Sequence, residues 1–160
     1  MDLTTADLCD RFPDQVQPVE PLLREYGGIS RFAGAIETVE VFEDNTLVRE
    51  TLETAGRGRV LVVDGGGSLQ CALVGGRLAT LAQANGWVGI VVNGAVRDSE
   101  EIKLLRVGVR ALNTSPMRSR KNGSGARGGV VRFAGVTFAP GHFLYADGDG
   151  ILLSERNLLE

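Results

Sequence analysis

Two short, unbroken apolar runs constrain this chain more than anything else in it: Val60-Leu61-Val62-Val63 and Val88-Gly89-Ile90-Val91-Val92. Neither run alternates with polar residues, and both are bounded by turn-forming sequence. Each therefore reads as a strand buried on both faces. Between them, Leu78, Leu81, Ala82 and Asn85 mark one face of a helix that opens at Gly75-Gly76 and ends at Gly86. A strand, a helix and a second strand in that order predict parallel neighbours joined by a crossover. A short helix over 100–105 and a strand over 109–112 continue the alternation. The fold class expected is α/β with a central mixed sheet.

The flanks add smaller elements. Thr4 or Thr5 is placed to cap a short helix carrying Ala6, Leu8 and Cys9. Pro13 and Pro18 make the next stretch irregular, Gly27-Gly28 forms a turn, and 29–42 reads as extended. Asp44 or Asn45 starts a helix through Leu47, Val48 and Leu52 that ends near Gly56. The stretch 114–129 is polar and rich in Ser, Arg and Gly, and a mobile loop is expected there. Beyond it, 130–133, 136–138, 143–145 and 151–153 read as strands separated by Pro140-Gly141 and Asp147-Gly148-Asp149-Gly150. With no repeat or linker in view, a single domain over 1–160 is expected.

Net charge is −3, from 17 basic and 20 acidic residues, which argues against general nucleic-acid binding. Cys9 and Cys71 are the only cysteines and form no close-spaced pattern, so neither a disulfide framework nor a zinc site is expected. No secretory signal is visible, and no apolar run approaches the ~20 residues that span a bilayer. A cytoplasmic protein without membrane contact is the default.

Several kinds of chemistry lack their parts. His142 is the only histidine and lies beside a turn, where a structural role suits it. No serine sits in a nucleophile elbow, and neither a dinucleotide fingerprint nor a phosphate loop is present. Asp64-Gly65-Gly66-Gly67-Ser68 resembles a phosphate cradle only loosely, because no lysine follows it. Lys103 and Lys121, the only lysines, sit in solvated segments unsuited to a Schiff base. Carbon–carbon chemistry here would need a metal ion as electron sink.

The stretch from Gly75 to Glu101 is better equipped. Gly75, Gly76, Arg77 and Leu78 open a helix whose first backbone N–H groups suit an anion. Arg97 follows a buried strand, where its guanidinium can grip a carboxylate in two parallel bonds. Asp98 beside it can hold Mg²⁺ or Mn²⁺ as the sole protein ligand. Glu101, three residues on, projects toward the side of Asp98 and can hold water around the ion. Arg97, Asp98 and Glu101, with Glu100, also suit a solvated helix start whose acids face the dipole.

Gly76, twenty residues, Arg97-Asp98, two residues and Glu101 together resemble the pattern of metal-dependent 4-hydroxy-4-methyl-2-oxoglutarate aldolases. The wider chain resembles the related regulator of ribonuclease E activity A (RraA) family. Val19-Glu20-Pro21, Phe42-Glu43-Asp44-Asn45, the stretch 57–68, Gly94-Ala95-Val96-Arg97 and Gly135-Val136-Thr137-Phe138 carry that likeness. The resemblance implies a swivelling β/β/α domain assembled as a homotrimer, or a pair of trimers, with sites at subunit boundaries. It implies backbone contacts from Gly75–Leu78 to a pyruvate carboxylate, substrate binding by Arg97, metal ligation by Asp98 and support of metal waters by Glu101. The regulator branch breaks this pattern at the aspartate, and this chain keeps it. Some aldolases borrow an acid from a neighbour's C-terminal segment, where this chain offers Glu155 and Glu160. The activity implied is cleavage of a small 2-keto acid to pyruvate, with oxaloacetate decarboxylation at the same site. The rival implication is a non-catalytic protein that binds and inhibits ribonuclease E.

Overall fold

Val60–Asp64 and Gly89–Val96 lie side by side as parallel strands, in register from Val60 opposite Gly89 to Asp64 opposite Asn93. They are the middle of the fold in a computed structural model that describes residues 2–160. In chain order the elements are α1 (Thr5–Arg11), β1 (Gln17–Pro18), β2 (Arg24–Glu25), β3 (Phe32–Glu40), α2 (Thr46–Leu52), β4 (Val60–Asp64) and β5 (Ala72–Val74). There follow α3 (Gly76–Ala84), β6 (Gly89–Val96), α4 (Ser99–Ile102), β7 (Gly108–Thr114), β8 (Ala126–Arg127), β9 (Val131–Phe133), β10 (Val136–Phe138), β11 (Phe143–Asp147) and β12 (Gly150–Ser154). The main sheet runs β1-β12-β11-β3-β4-β6-β7-β2, with β5 on β6 and β8 on β3. Pairing is parallel from β3 through β7 and antiparallel at both ends, so the sheet is mixed.

Burial follows the two-residue period of a strand. Leu61, Val63, Ile90 and Val92 pack with Val48 and Leu52 of α2 and Leu78, Ala79 and Ala82 of α3. Val60, Val62 and Val91 point the other way, onto Phe138, Leu144 and Leu153 from the C-terminal strands. Helices cover one face and β-hairpins the other, which is why the two runs carry no polar alternation. Gly89 and Gly108 have a packing reason: a Cβ at either position would run into the Phe32 ring.

β6 is longer than its neighbour β4, and this positions the site. β4 stops at Asp64, the chain loops through Gly65-Gly66-Gly67, and β5 rejoins the same edge of β6 at Ala95 and Val96. β5 was not anticipated from the sequence, since three residues are too few for a pattern. The backbone N–H of Arg97 then donates to Val74 O at 2.9 Å. The turn after β6 is thereby laid against the start of α3.

Of the two candidate caps of α1, Thr4 fills the role, with a reciprocal bond to Asp7. At α2 the cap works differently. Asn45 holds the N-cap position without a side-chain bond, and Asp44 Oδ1 accepts from the Thr46 N–H at 3.0 Å. The expected mobile loop over 114–129 is corrected: it is tied down along its length. Ala72 and Arg118 form a bridge, as do Asp44 and Arg120, and β8 pairs with Val39 and Glu40. Asp44 Oδ2 accepts from the Asn122 and Gly123 N–H groups at 2.6 and 3.1 Å. These bonds satisfy a backbone that looks unstructured by composition alone. Among the described residues no helix is long and apolar enough to cross a membrane.

Candidate active site

The N-terminus of α3 has three backbone N–H groups without intrahelical partners, on Gly76, Arg77 and Leu78; the first helical bond is Ala79 N–H to Gly75 O at 3.0 Å. Asp98 takes the first of them, its Oδ2 accepting from the Gly76 N–H at 2.8 Å. The Gly-Gly helix start is therefore partly filled by the chain's own carboxylate. The N–H groups of Arg77 and Leu78 have no acceptor among the described residues.

Asp98 reaches across because of its backbone. It has a φ of 59° and a ψ of 40°, left-handed values that an aspartate tolerates better than most residues. Its carbonyl accepts the Glu101 and Ile102 N–H bonds that begin α4, while its side chain makes no cap there. The carboxylate goes to the neighbouring helix instead. Glycine at 75 and 76 leaves room for it. A Cβ on Gly75 would come within 2.8 Å of Asp98 Oδ2 and 3.3 Å of Arg97 Cγ, and one on Gly76 would collide with the Glu101 carboxylate.

These groups open onto a cleft of about 760 Å³. Gly75, Arg77, Leu78, Arg97 and Asp98 line it, as five of the seven residues singled out in the sequence. Gly76 is buried behind them, and Glu101 stands outside the lining with its carboxylate against the Gly76 backbone. Arg97 is half-buried and lends Nη1 to Pro116 O at 3.4 Å, leaving most of its donors uncommitted. His142 and Glu155 line a separate hollow with Asp14 and Arg156, away from this cleft. Polar groups of the Asp64–Ser68 loop are taken up within the protein: Asp64 Oδ1 accepts from the Gly66 N–H and from Asn93 Nδ2, and Ser68 Oγ donates to Glu43 Oε2 at 2.7 Å.

The sequence reading missed the rest of the wall. The start of α2 and the tied-down segment after β7 add Arg49, Arg118 and Lys121, giving the cleft five cations around one acid. Of the five, only Arg49 has an ion-pair partner among the described residues, Glu53 at 3.7 Å. A signal was present, since Arg118, Arg120, Lys121 and Arg127 crowd a short segment of a net acidic chain. Asp44 pins that segment from below. Burial would raise its pKa, but hydrogen bonds from Thr46, Asn122 and Gly123 outweigh this and hold it below the ordinary carboxylate value.

A matching family model, RraA-like: Aldolase/RraA, covers residues 5–153. The chain belongs to the RraA-like family. A relative from Laribacter hongkongensis, named putative 4-hydroxy-4-methyl-2-oxoglutarate aldolase, is 57% identical over 159 residues, covering 99% of this chain and 100% of that one. Two solved structures share the RraA-like fold closely. One, from Geobacillus kaustophilus and described as an S-adenosylmethionine:2-dimethylmenaquinone methyltransferase, is 50% identical with a TM-score of 0.96, covering 98% of both chains. The other, described as the RNA-processing inhibitor RraA from Thermus thermophilis, is 47% identical with a TM-score of 0.94, covering 98% of this chain and 94% of that one.

Asp98 also suits a hard cation by its chemistry. One carboxylate oxygen is fixed by the Gly76 N–H, and the other makes no hydrogen bond to a described residue. No group of three His, Cys, Asp or Glu stands together among the described residues. An ion here would have one protein carboxylate, with waters and substrate oxygens completing the shell, an arrangement that Mg²⁺ and Mn²⁺ accept.

Proposed function

We propose that this chain is a divalent-metal-dependent aldolase that cleaves 4-hydroxy-4-methyl-2-oxoglutarate, or a close relative, to pyruvate, with oxaloacetate decarboxylation as a second activity. One observation carries the reading: Arg97 and Asp98 stand side by side at the start of α3, with two unused backbone N–H groups, in a cleft of five cations and one acid. The aldolase name of the 57% identical relative supports it.

A divalent cation held by Asp98 supplies the electron sink for breaking the C–C bond. Arg97 binds the C1 carboxylate through its guanidinium, and the Arg77 and Leu78 N–H groups bind it from the helix end. The Gly76 N–H holds the Asp98 carboxylate in one rotamer. Glu101, exposed beside Gly76, orders the water that takes the 4-hydroxyl proton. The working unit in this reading is the trimer that the family resemblance implies, with the site at a subunit boundary. Five cations around one acid suit an anionic substrate better than the sulfonium of a methyl donor.

The test is turnover of both keto acids with Mg²⁺ or Mn²⁺ by the native chain and by Asp98→Asn. Asparagine tolerates the left-handed backbone and keeps an oxygen for the Gly76 N–H, so the fold is retained. Activity should fall at least ~100-fold with the charge removed. Equal rates in the two proteins would end the reading.

A second reading rests on the 47% identical Thermus protein described as an RNA-processing inhibitor. It makes this chain a docking partner of ribonuclease E, alone or besides the chemistry. Capture of that endonuclease by the native chain and by Asp98→Asn alike would support it; no capture by either would remove it.

A further inference from the structure

Two hydroxyls in the cleft wall lack partners. Thr46 Oγ1 and Ser119 Oγ are buried and make no hydrogen bond among the described residues, and Ser119 as a whole is 5% exposed. Buried hydroxyls are rarely left unpaired, because losing water without gaining a bond is unfavourable. Both line the same cleft as Arg97 and Asp98, but they belong to the other set of segments, the first turn of α2 and the segment after β7. Three cations come from those same segments: Arg49, Arg118 and Lys121.

This part of the wall is held in place by the backbone. Arg118 bridges Ala72 of β5, and the Arg120 N–H donates to Glu43 O at 2.9 Å. Lys121 Nζ donates to Asn45 Oδ1 at 3.0 Å, and Asn45 Nδ2 donates to Leu73 O at 3.2 Å. Arg118 has no ion-pair partner among the described residues. Exposed cations on a tied-down backbone, next to unpaired buried hydroxyls, make this wall suited to an anion.

We propose that Arg118 and Lys121, with Ser119 and Thr46 behind them, form a second carboxylate subsite that selects dicarboxylic 2-keto acids by their far carboxylate. The proposal rests on the aldolase reading, in which Arg97 and the Arg77 and Leu78 amides take the C1 carboxylate. Arg118 and Lys121 are exposed, so a monocarboxylic 2-keto acid of the same length leaves them to water and forgoes the ion pair, which is the basis of discrimination.

The experiment is titration calorimetry in Mg²⁺ with 2-oxoglutarate and 2-oxopentanoate, which share a head and a chain length and differ in the second carboxylate. Neither carries a 4-hydroxyl, so no retro-aldol cleavage intervenes. The native chain should bind 2-oxoglutarate at least ~10-fold tighter, the effect of one charge-assisted hydrogen bond. In Arg118→Gln/Lys121→Gln that preference should vanish while 2-oxopentanoate binding stays as it was. Ser119→Ala should weaken 2-oxoglutarate alone. Equal native affinities, or a preference that survives the double variant, would overturn the subsite. Turnover of 4-hydroxy-4-methyl-2-oxoglutarate by the same preparation separates the two ideas. Turnover without discrimination removes the subsite only; no binding of either acid and no turnover remove both.

Discussion

Asp98 and Gly76 are coupled at single-residue scale, and each constrains what the other can be. A methyl at position 76 would displace Glu101, an exposed side chain whose carboxylate supplies the three nearest atoms it would meet. Alanine is also a better helix former than glycine by about 1 kcal/mol. Gly76→Ala should therefore leave the melting temperature equal or slightly raised while lowering kcat on the keto acid by about tenfold through loss of ordered water. A coupled fall in stability and rate would instead make Gly76 a folding residue. Asp44 behaves in the opposite way. Its carboxylate accepts three backbone N–H bonds in a buried setting, and its folded pKa lies below the ordinary 3.8. A depressed acid stabilises the fold fully above its unfolded value, and that contribution is lost as pH falls through the folded one. Denaturation should accordingly steepen below about pH 4. Asp44→Asn, which trades one acceptor oxygen for a donor, should flatten that acid limb and cost about 1–3 kcal/mol. Identical acid limbs in denaturant titrations of the two proteins would show that Asp44 is not the titrating pin.

At the scale of elements, the long apolar strands were legible because burial on both faces removes alternation, and β4 and β6 stand where the runs predicted. The Gly-Gly start and Gly86 end of α3 were legible through helix-end chemistry. Two elements were not. β5 has three residues and is a strand only because β6 outruns β4 and leaves an edge open. The 114–129 segment carries a loop's composition, yet Asp44, Ala72 and β3 fix it through contacts distant in sequence. No local pattern encodes such a partner. Half of the candidate site was thus readable, from Gly75 to Asp98, and the basic half was hidden by the mistaken mobility. The glycines inside β6 and β7 test the same point. Gly89 and Gly108 both face Phe32, so Gly89→Ala should destabilise by roughly 1–3 kcal/mol through overpacking. Phe32→Leu should recover part of that loss, and denaturant melts of the single and double variants measure the coupling. Strict additivity would mean that the ring is not the obstacle.

For the whole molecule, the order of layers decides where chemistry can sit. Parallel strands deliver their C-terminal ends to one edge, and the turn after β6 lies there against α3. Asp98 is exposed at that edge, and the cleft beside it stays open. Large apolar side chains, among them Phe42 at 59% and Met117 at 62% exposed, remain uncovered on the same molecule. A trimer built across this edge would cover such groups and narrow the cleft. Sedimentation equilibrium should then give the mass of three chains, with activity lost on dilution to monomer. A fully active monomer would exclude a shared site.

The left-handed turn at position 98 has one more implication. No atom of the aspartate carboxylate belongs to either hydrophobic cluster that flanks the sheet, and the oxygen free of Gly76 supports no other part of the architecture. On the aldolase reading, a descendant could lose the proposed chemistry at that one codon and keep the scaffold. Shape and reactivity are separable here, and kinship in this fold is by itself a poor guide to whether a given member still turns anything over.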